Sequence, residues 1–569
     1  MSRSSFDYVI VGGGSAGCVL ANRLSADPGT RVLLLEAGRP DKWWDLLVEM
    51  PAAMAYAVGS KTHDWNFESE PEPYLDGRRL VHPRGKVLGG SSSINGVVYQ
   101  RGNPADFDRW AKEPGMDGWS YAECLPYFTR LENCKDSDSG ASRGRSGPQD
   151  LRRSSVSNPL FQAFLAAARQ AGYPAAPDVN EEQEGFGAFD RAVRRGRRVS
   201  AAKAYIAPVR DRENLTIRCE SLVTKVVFDG RRAVGVRLRE QGGASSAGRQ
   251  VGDEVDVRAD EVILCGGSIS TPQILQLSGV GDTAHLAEFG IDPVHHLPGV
   301  GEGLQDHLGI HVQHRCTQPV SMMTMRHRSR WPLIGLQWLL FGKGPAASTQ
   351  IEAGGFLRTD PSLDYPDLML AFAPIATRTD PASEVDDHGY QLYLMAARPE
   401  SRGTVKLRSG DPTDQPALQF NYLSTQAERD WWPRALRVAR QLLGQDAFAP
   451  FSGGETVPGP ALQTDEELLG WVQSRGRTGL HPTSSCRMGV DEMAVVDPTT
   501  MRVHGLDGIR VVDASVMPTI VNANTYAPVM MIAEKAADMI LNVTAPRIDG
   551  LPAPRPDLSA PVAPGHTLT

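Results

Sequence analysis

Cysteine is scarce in this chain, and its placement excludes two kinds of structure. The 569 residues include seven cysteines, scattered as Cys18, Cys124, Cys134, Cys219, Cys265, Cys316 and Cys486 without a CxxC pair. An odd number at irregular spacing is not typical of a disulfide framework or of a thiolate metal site. We therefore expect reduced thiols, no bound metal and a reducing compartment, the cytoplasm.

Long apolar runs and blocks of like charge are also absent from the sequence. No apolar run reaches the ~18 residues that suggest a membrane-spanning helix, and we expect no secretion signal in the first residues. The formal net charge is −8 without a long basic block, so nucleic acid is not an expected partner. We interpret the cluster Arg194, Arg195, Arg197 and Arg198 as a solvated loop. Peripheral contact with a membrane stays open.

The strongest pattern present is a glycine motif near the N-terminus. A short apolar run leads into Gly12-x-Gly14-x-x-Gly17. A small-residue segment follows, and a second apolar run ends on Glu36. This order predicts a βαβ unit that binds a dinucleotide, in which Gly12 permits the turn and Gly14 lets a pyrophosphate approach. Gly17 lets the helix approach the sheet, and Glu36 accepts from a ribose hydroxyl. The motif leaves FAD and NAD open, and a structural turn is the alternative.

A second glycine-rich segment spans residues 83–103. It contains Gly85, Gly89, Gly90 and three serines, interrupted by apolar residues. The apolar residues indicate burial, and a buried backbone of this length needs polar partners. We therefore predict that this segment contacts the cofactor. A flexible surface loop is the alternative.

Secondary structure is predicted most clearly in two stretches. Short β-rich runs in residues 214–265 predict an antiparallel layer that leads back to a core strand. Residues 267–281 then predict a helix, with Ser270 or Thr271 as the N-cap and Pro272 at an early position.

The rest of the chain carries weaker signals. Helices are predicted near Trp331–Phe341 and Gln426–Leu443, within residues 312–475, which have no sharp motif. The Ser/Gly-rich stretch 136–147 predicts a mobile loop. The Pro-rich residues from 546 onward predict a disordered tail.

Two polar segments lie near the C-terminal end of the sequence. Residues 477–489 contain His481, and a single histidine favours a structural role by itself. In residues 509–540 a strand ends on Asp513, an Asn-rich loop follows, and a helix begins near Pro528. An acid at the end of a strand beside a helix start is a common position for a ligand contact.

Together these segments resemble the glucose–methanol–choline (GMC) flavoprotein oxidoreductases. The N-terminal unit is similar to the family's FAD fingerprint, and residues 85–108 and 267–281 are similar throughout to its two signature segments. His481, five residues before Cys486, stands where the family has its catalytic histidine. The resemblance extends from about residue 6 to 541, and it is strongest to the bacterial choline and alcohol dehydrogenase branch.

The resemblance implies a mixed α/β (α+β) chain with two domains. One is a Rossmann-like FAD-binding domain that is discontinuous in sequence, and the other is a substrate domain with an antiparallel sheet and helices. The implied segments are 1–155, 200–311 and 476–545 for the FAD-binding domain, 156–199 and 312–475 for the substrate domain, and 546–569 for the tail.

The resemblance also implies which residues hold FAD. Those assigned to the ADP half are Gly12, Gly14, Ser15, Ala16, Gly17, Glu36, Ala37 and, at the adenine, Val223. Those assigned to the diphosphate and isoalloxazine are Arg84, Leu88, Gly90, Asn95, Gly96, Val98, Asp513, Ala514, Asn524, Tyr526, Ala527 and Pro528. Some members tether FAD through a histidine where this chain has Ile94. We therefore expect FAD to be bound non-covalently.

The reaction implied is the oxidation of an alcohol to an aldehyde or ketone. His481 is expected to accept the hydroxyl proton while a hydride moves to flavin N5. Oxygen, a quinone or another carrier then reoxidises the flavin. The family's second catalytic residue, usually His or Asn, falls on Tyr526. Asn524 is the alternative if the loop is shifted.

Several alternatives stay open at this stage. A lyase or a light-driven fatty-acid decarboxylase on the same scaffold is the first, because Tyr526 is unusual at its position. A non-catalytic flavoprotein is the second. The alcohol is not indicated, nor is the oligomeric state. Choline would need an aromatic box and a carboxylate, for which the candidates are Trp65, Trp331, Trp431, Trp432 and Glu352.

Overall fold

A computed structural model describes residues 5–135, 142–240, 254–376 and 388–543. Two predictions lie outside these described residues, namely the mobile loop in its part 136–141 and the tail from 546 onward. Within them, the longer helices are Ser15–Leu24, Pro104–Ala111, Tyr121–Leu131, Pro159–Gln170, Gly267–Leu277, Trp331–Phe341, Gln426–Leu443, Asp465–Arg475 and Tyr526–Leu541. The shorter ones are Leu46–Glu49, Met54–Ala57 and Thr283–Glu288.

The first sheet has seven strands drawn from distant parts of the chain. Its strands, in spatial order, are Leu215–Arg218, Val32–Leu35, Phe6–Val11, Glu254–Leu264, Arg232–Glu240 and Ser221–Asp229, with Ile509–Val511 also paired to Glu254–Leu264. The first four and Ile509–Val511 pair in parallel. Val9 and Ile10 are fully buried, as expected for parallel strands covered on both faces. The antiparallel layer predicted from 214–265 is confirmed.

The second sheet has six strands and is antiparallel. Its strands are Ala353–Leu357, Leu368–Ala373, Gly389–Ala396, Leu308–Cys316, Ser452–Val457 and Arg477–Thr478. One of them, Leu308–Cys316, crosses the implied division at 311/312, and another, Arg477–Thr478, belongs to the implied FAD-binding segment 476–545. The domain boundaries therefore stay predictions.

The described residues also form five smaller sheets. They comprise Val98–Tyr99, Asp190–Arg191, Gln149–Arg153 and Glu132–Cys134 in one, Glu302–Leu304, Gly403–Lys406 and Ala417–Gln419 in another, and the pairs Phe67–Glu68 with Val81–His82, Val193–Arg194 with Arg197–Arg198, and Val280–Gly281 with His295–His296. The strand Glu132–Cys134 pairs in parallel with Gln149–Arg153.

Each large sheet has its own apolar core. The first sheet buries the helices Ser15–Leu24 and Tyr526–Leu541. These helices come from opposite ends of the chain, and an ion pair of 2.7 Å between Arg23 and Glu534 joins them. The second sheet buries the helices Pro159–Gln170 and Gln426–Leu443. The predicted helices Trp331–Phe341 and Gln426–Leu443 are both confirmed.

The helix Gly267–Leu277 corrects one prediction. Gly266 is its N-cap, so Ser270 and Thr271 lie inside the helix instead of capping it. Thr271 Oγ1 donates to Asp513 Oδ2 at 2.6 Å, and the backbone N–H of Gly267 donates to the same oxygen at 2.8 Å. The carboxylate from the neighbouring strand end thus replaces a local cap. Acids are stabilised at a helix N-terminus in this way.

Pro272 stands further into this helix than expected. A proline cannot donate to the carbonyl four residues earlier, which here belongs to Ser268. The hydroxyl of Ser485 donates to that carbonyl at 2.6 Å. The missing backbone hydrogen bond is therefore replaced by a side chain from another segment.

Candidate active site

A cavity of about 570 Å³ lies at the carboxyl ends of the parallel strands. Val11, Leu35 and Cys265, at or just beyond three of these ends, line it together with Asp513. Ligands commonly bind at this edge of an open α/β sheet. The cavity is therefore the candidate site for both cofactor and substrate.

The glycine turn has the geometry of a dinucleotide site. Gly12 has φ of +107°, and a Cβ there would lie 2.4 Å from the carbonyl oxygen of Cys265. A Cβ on Gly17 would lie 1.9 Å from the carbonyl oxygen of Gly12. By contrast, the nearest atom to a Cβ on Gly14 is the Cα of Gly90, at 4.0 Å. The backbone at Gly14 is thus open to the cavity, and the site fits a pyrophosphate at a helix N-terminus.

Glu36 is held in place at the end of the second strand. Its Oε2 accepts from the backbone N–H of Gly13 at 2.8 Å, and its Oε1 accepts from Gly38 at 2.7 Å. Burial raises the pKa of the Glu36 carboxyl to about 7, although these two hydrogen bonds act in the opposite direction. Each oxygen retains a lone pair. The carboxyl is therefore oriented to accept from a ribose hydroxyl.

The second glycine segment packs directly on the first. The backbone N–H of Gly89 donates to the carbonyl of Gly13 at 2.7 Å, and a 3₁₀ turn spans Gly90–Ser93. Asn95 is fixed by Arg198, whose guanidinium donates to both its carbonyl and its Oδ1 at 2.7 Å. Ile94 is buried and lines the cavity. The segment is a wall of the cavity and not a surface loop.

Arg198 also corrects the interpretation of the basic cluster. It is 1% exposed, and burial lowers its pKa to about 10. Arg194 and Arg195 are exposed, so the solvated-loop interpretation holds for them but is wrong for Arg198. This difference could not be predicted from the sequence, because the burial of Arg198 depends on packing against Asn95.

Most residues assigned to FAD line the cavity. Those that do are Gly12, Gly14, Ser15, Ala16, Glu36, Ala37, Arg84, Gly90, Asn95, Gly96, Val98, Val223, Asp513, Ala514, Asn524 and Tyr526. The assigned residues that are not part of this described lining are Gly17, Leu88, Ala527 and Pro528. Leu88 is buried and packs against Gly13, where an added Cβ would lie 2.8 Å from its Cδ1.

His481 and Asn524 meet in the cavity wall. Asn524 Nδ2 lies 3.1 Å from His481 Nε2. Burial, followed by His307 and Arg84, lowers the pKa of His481 well below its usual value of 6.5. The imidazole is therefore neutral at pH 7. Asn524 Oδ1 is buried and has no hydrogen-bond partner among the described residues, so this part of the cavity fits a polar group from a ligand.

Tyr526 lines the cavity, but its hydroxyl is bound within the protein. Its hydroxyl donates to Gln149 Oε1 at 2.8 Å, and burial raises its pKa. Asn524, and not Tyr526, is the residue of this loop whose side chain contacts His481, and the role of Tyr526 at the substrate stays a prediction. Because the helix begins at Tyr526, the loop residue that reaches His481 lies two positions before it. The shifted-loop alternative describes the geometry.

Two further residues support His481 and were not identified from the sequence. His307 Nδ1 lies 3.0 Å from His481 Nδ1, and Asp306 Oδ1 accepts from the backbone N–H of His481 at 2.7 Å. Burial lowers the pKa of His307 to about 4. The only available signal was an adjacent pair of polar residues directly before the apolar strand Leu308–Cys316.

The candidates for a choline site do not converge. Trp65 lines the cavity, whereas Trp331 is 42% exposed. Trp431 donates to Asp367, and Glu352 accepts from Arg191 at 3.3 Å. Trp432 is packed in the core of the second sheet. The structure therefore forms no aromatic box with Glu352 from these residues.

No helix among the described residues is long and apolar enough to cross a membrane.

Curated relatives match this chain over nearly its full length. It is 52% identical over 542 residues to the oxygen-dependent choline dehydrogenase of Staphylococcus xylosus, covering 95% of each chain. It is 51% identical over 544 residues to the enzyme of the same name from Staphylococcus aureus strain JH9, covering 94% of this chain and 93% of the relative.

Solved structures share the fold. Pyridoxine 4-oxidase from Mesorbium loti has a TM-score of 0.84 at 31% identity, covering 95% of this chain and 100% of the other. A variant of formate oxidase from Aspergillus oryzae RIB40 has a TM-score of 0.87 at 27% identity, covering 95% and 99%. The GMC oxidoreductase family matches at residues 6–309 and 399–533. The chain therefore belongs to the GMC oxidoreductase family, with FAD as its cofactor, and is an FAD-dependent alcohol oxidoreductase.

Proposed function

We propose that His481 is the general base of the alcohol oxidation and that Asn524 orients the substrate hydroxyl. The observation that carries this proposal is the contact of 3.1 Å between Asn524 Nδ2 and His481 Nε2. The amide N–H donates, so Nε2 holds a lone pair. A substrate hydroxyl placed between the two groups accepts from the amide and donates its proton to the imidazole.

The neighbours of His481 support this protonation state. The Nδ1 atoms of His481 and His307 lie 3.0 Å apart, so one of them must carry a proton and donate it to the other. With a lone pair on Nε2, neutral His481 carries its proton on Nδ1 and donates it to His307. Asp306 holds the backbone of His481 at 2.7 Å. The ring is thus oriented before substrate binds, as general-base catalysis requires.

The acceptor for the hydride that leaves the carbinol carbon would be supplied by bound FAD. We propose that Gly14 and Glu36 bind its ADP half and that Gly90 lies at its diphosphate and isoalloxazine. We also propose that it is held without a covalent bond, because Ile94 has no nucleophilic atom. Acid precipitation is expected to release all the flavin into the supernatant. Yellow colour in the washed pellet would contradict non-covalent binding.

We infer that the substrate is an uncharged alcohol with an apolar body. Apolar or aromatic residues in the lining include Met54, Trp65, Phe67, Ile351, Met369, Tyr393 and Met395. The carboxyl groups among the described lining residues are Glu36 and Asp513. Backbone N–H groups already bind both carboxyls. Trp65 and Phe67 stack on each other at 5.7 Å, which is not the arrangement of a cage around a cation.

Choline is the second candidate substrate, and the names of the curated relatives support it. Their names also favour oxygen as the acceptor, with a quinone or another carrier as the alternatives. A reducing compartment such as the cytoplasm is consistent with the seven cysteines, which all lie within described residues and are free thiols.

An anaerobic panel of alcohols tests these proposals. We expect 1-octanol and benzyl alcohol to bleach the flavin faster than choline does. Admission of air should restore the colour if oxygen is the acceptor. Choline as the fastest reductant would reject the apolar substrate but retain alcohol oxidation. Failure of all alcohols, with turnover only under light or on cyanohydrins, would favour the decarboxylase or lyase.

A further inference from the structure

The helix Trp331–Phe341 is apolar and faces solvent. Its sequence is WPLIGLQWLLF, in which Gln337 is the single residue with a polar uncharged side chain apart from the tryptophan indoles. Leu333 is 71% exposed and Phe341 is 67% exposed. Leu336, Leu339 and Leu340 are also exposed. A water-soluble surface rarely leaves so many large apolar side chains together, and a contiguous patch of this kind marks an interaction site.

The helix is fixed to the protein at a few points. Trp338 is buried, and its Nε1–H donates to the carbonyl of Gly196 at 2.8 Å. The guanidinium of Arg197 lies 4.5 Å from the centre of the same indole. Trp331 packs against Tyr56 with ring centres 6.0 Å apart. The exposed leucines are thus presented on a supported helix.

Positively charged residues flank this helix in the sequence. The segment from Ser321 to Ile351 contains no Asp or Glu. It contains exposed Arg328 and Arg330 before the helix and exposed Lys343 after it. The combination of exposed Trp, Leu and Phe with flanking Arg and Lys is typical of helices that lie in the interface of a membrane with anionic lipids.

The helix adjoins the cavity. Tyr56, which packs on Trp331, belongs to the short helix Met54–Ala57. Met54 and Ala55 of that helix line the cavity, and Ala55 is also exposed. The apolar surface and one wall of the cavity are therefore two sides of the same short helix.

We propose that the helix Trp331–Phe341, Tyr56, Arg328, Arg330 and Lys343 form a docking surface for a bilayer that contains anionic lipids. The helix has eleven residues, whereas a spanning helix needs about 20, so it lies along the interface. Tyr56 and Trp331 stand at the level of the headgroups, where such residues are enriched. An apolar alcohol dissolved in the bilayer then has a short path to the cavity.

A second copy of the chain fits this surface less well. In a symmetric dimer the same patch meets itself. The arginines and Lys343 of both copies would then lie close together without acidic partners in the segment from Ser321 to Ile351. Anionic headgroups provide those partners. The charge of the surface therefore favours a bilayer.

Vesicle flotation with the FAD-loaded protein tests the proposal. We expect the protein to float with vesicles that contain phosphatidylglycerol and to remain below vesicles of phosphatidylcholine alone. Raising the salt from about 0.05 M to about 0.5 M should reduce the floating fraction, because salt screens charges at the surface.

Two pairs of substitutions separate the apolar and the charged contributions. The double variant Leu339→Ser, Phe341→Ser should lower partitioning by about tenfold or more, since it removes two side chains that enter the interface. Its matched control is Val490→Ser, Val543→Ser, in which both residues are 55% exposed elsewhere on the protein. The variant Arg328→Gln, Arg330→Gln should lose the preference for phosphatidylglycerol, with Arg231→Gln, Arg258→Gln as its control.

All four variants should keep the bound flavin and the rate of flavin bleaching by a water-soluble alcohol, because the changed residues are exposed. Failure of the unaltered protein to float with either vesicle would overturn the proposal. Equal flotation of the Leu339→Ser, Phe341→Ser variant and its control would do so as well. If light scattering instead showed a dimer that this variant converts to a monomer, without flotation in either form, a second copy would be the occupant.

Discussion

The part of the cavity assigned to the cofactor is lined by closely packed backbone, whereas the part assigned to the substrate is lined by side chains. Around Gly12 and Gly90, the walls are backbone that packs too closely to accept a side chain. Around His481 and Asn524, the walls are side chains that come from segments far apart in sequence. A backbone-built site is sensitive to any added atom, whereas a side-chain-built site can lose one group and still fold. The predictions below use that difference.

The largest effect is expected in the backbone-built part. Gly12→Ala adds a Cβ that would lie 2.4 Å from the carbonyl oxygen of Cys265, in a residue with φ of +107°. Neither the conformation nor the contact is tolerated by an L side chain. We expect the protein to be purified without FAD, as judged by visible absorbance.

Gly230→Ala is the matched control. Gly230 also has positive φ, at +58°, but a Cβ there meets no heavy atom within 4 Å. It should therefore lose about 1 kcal/mol of stability, the cost of the left-handed conformation, and keep its flavin. A yellow Gly12→Ala protein would show that the strand ends can move apart.

The second effect is expected in the side-chain-built part. His481→Ala removes the proposed base, so anaerobic flavin reduction by the alcohol should slow by about 10²-fold or more. FAD should stay bound, because Glu36 and the glycine turns are unchanged. His296→Ala, at an exposed histidine, is the control. Reduction of the His481→Ala flavin at the parent rate would reject His481 as the base.

A smaller effect is expected in the pH dependence of flavin reduction, whose rate should decrease only on the acid side. The reaction needs neutral His481, and burial lowers the pKa of this group well below 6.5. Burial disfavours the imidazolium, so the rate of anaerobic flavin reduction should be flat from pH 8 to about 6.5 and fall only below that value. A decline already centred near pH 7 would mean that another group titrates or that the imidazole is solvated.

The difference between the backbone-built and the side-chain-built parts of the cavity also explains which features could be predicted from the sequence. Gly12, Gly14 and Gly17 are recognisable because one local turn requires glycine at fixed spacing. The contact between His481 and Asn524 depends on where a distant helix begins, and alignment on that helix selected Tyr526 instead. Asp306 and His307 were missed because their partner lies more than 170 residues away. The first sheet and its antiparallel layer were predictable, since apolar runs and turns specify them locally.

The smallest expected effects come from substitution of Asn524 and Tyr526, and they distinguish the roles of these two residues. Asn524→Ala removes the amide that faces His481, so flavin reduction should slow by about two- to tenfold, the effect of one hydrogen bond worth about 0.5–1.5 kcal/mol. Tyr526→Phe removes a hydroxyl whose partner is Gln149 at 2.8 Å, so the rate should not change. It should instead lower the melting temperature by roughly 1 °C, because about 1 kcal/mol is spread over a large unfolding entropy. The variant Gln149→Leu should lower the melting temperature too, again with an unchanged rate.

If Tyr526→Phe slowed flavin reduction more than Asn524→Ala, the tyrosine would contact the substrate after all, and the loop before the helix would have to move when the alcohol binds.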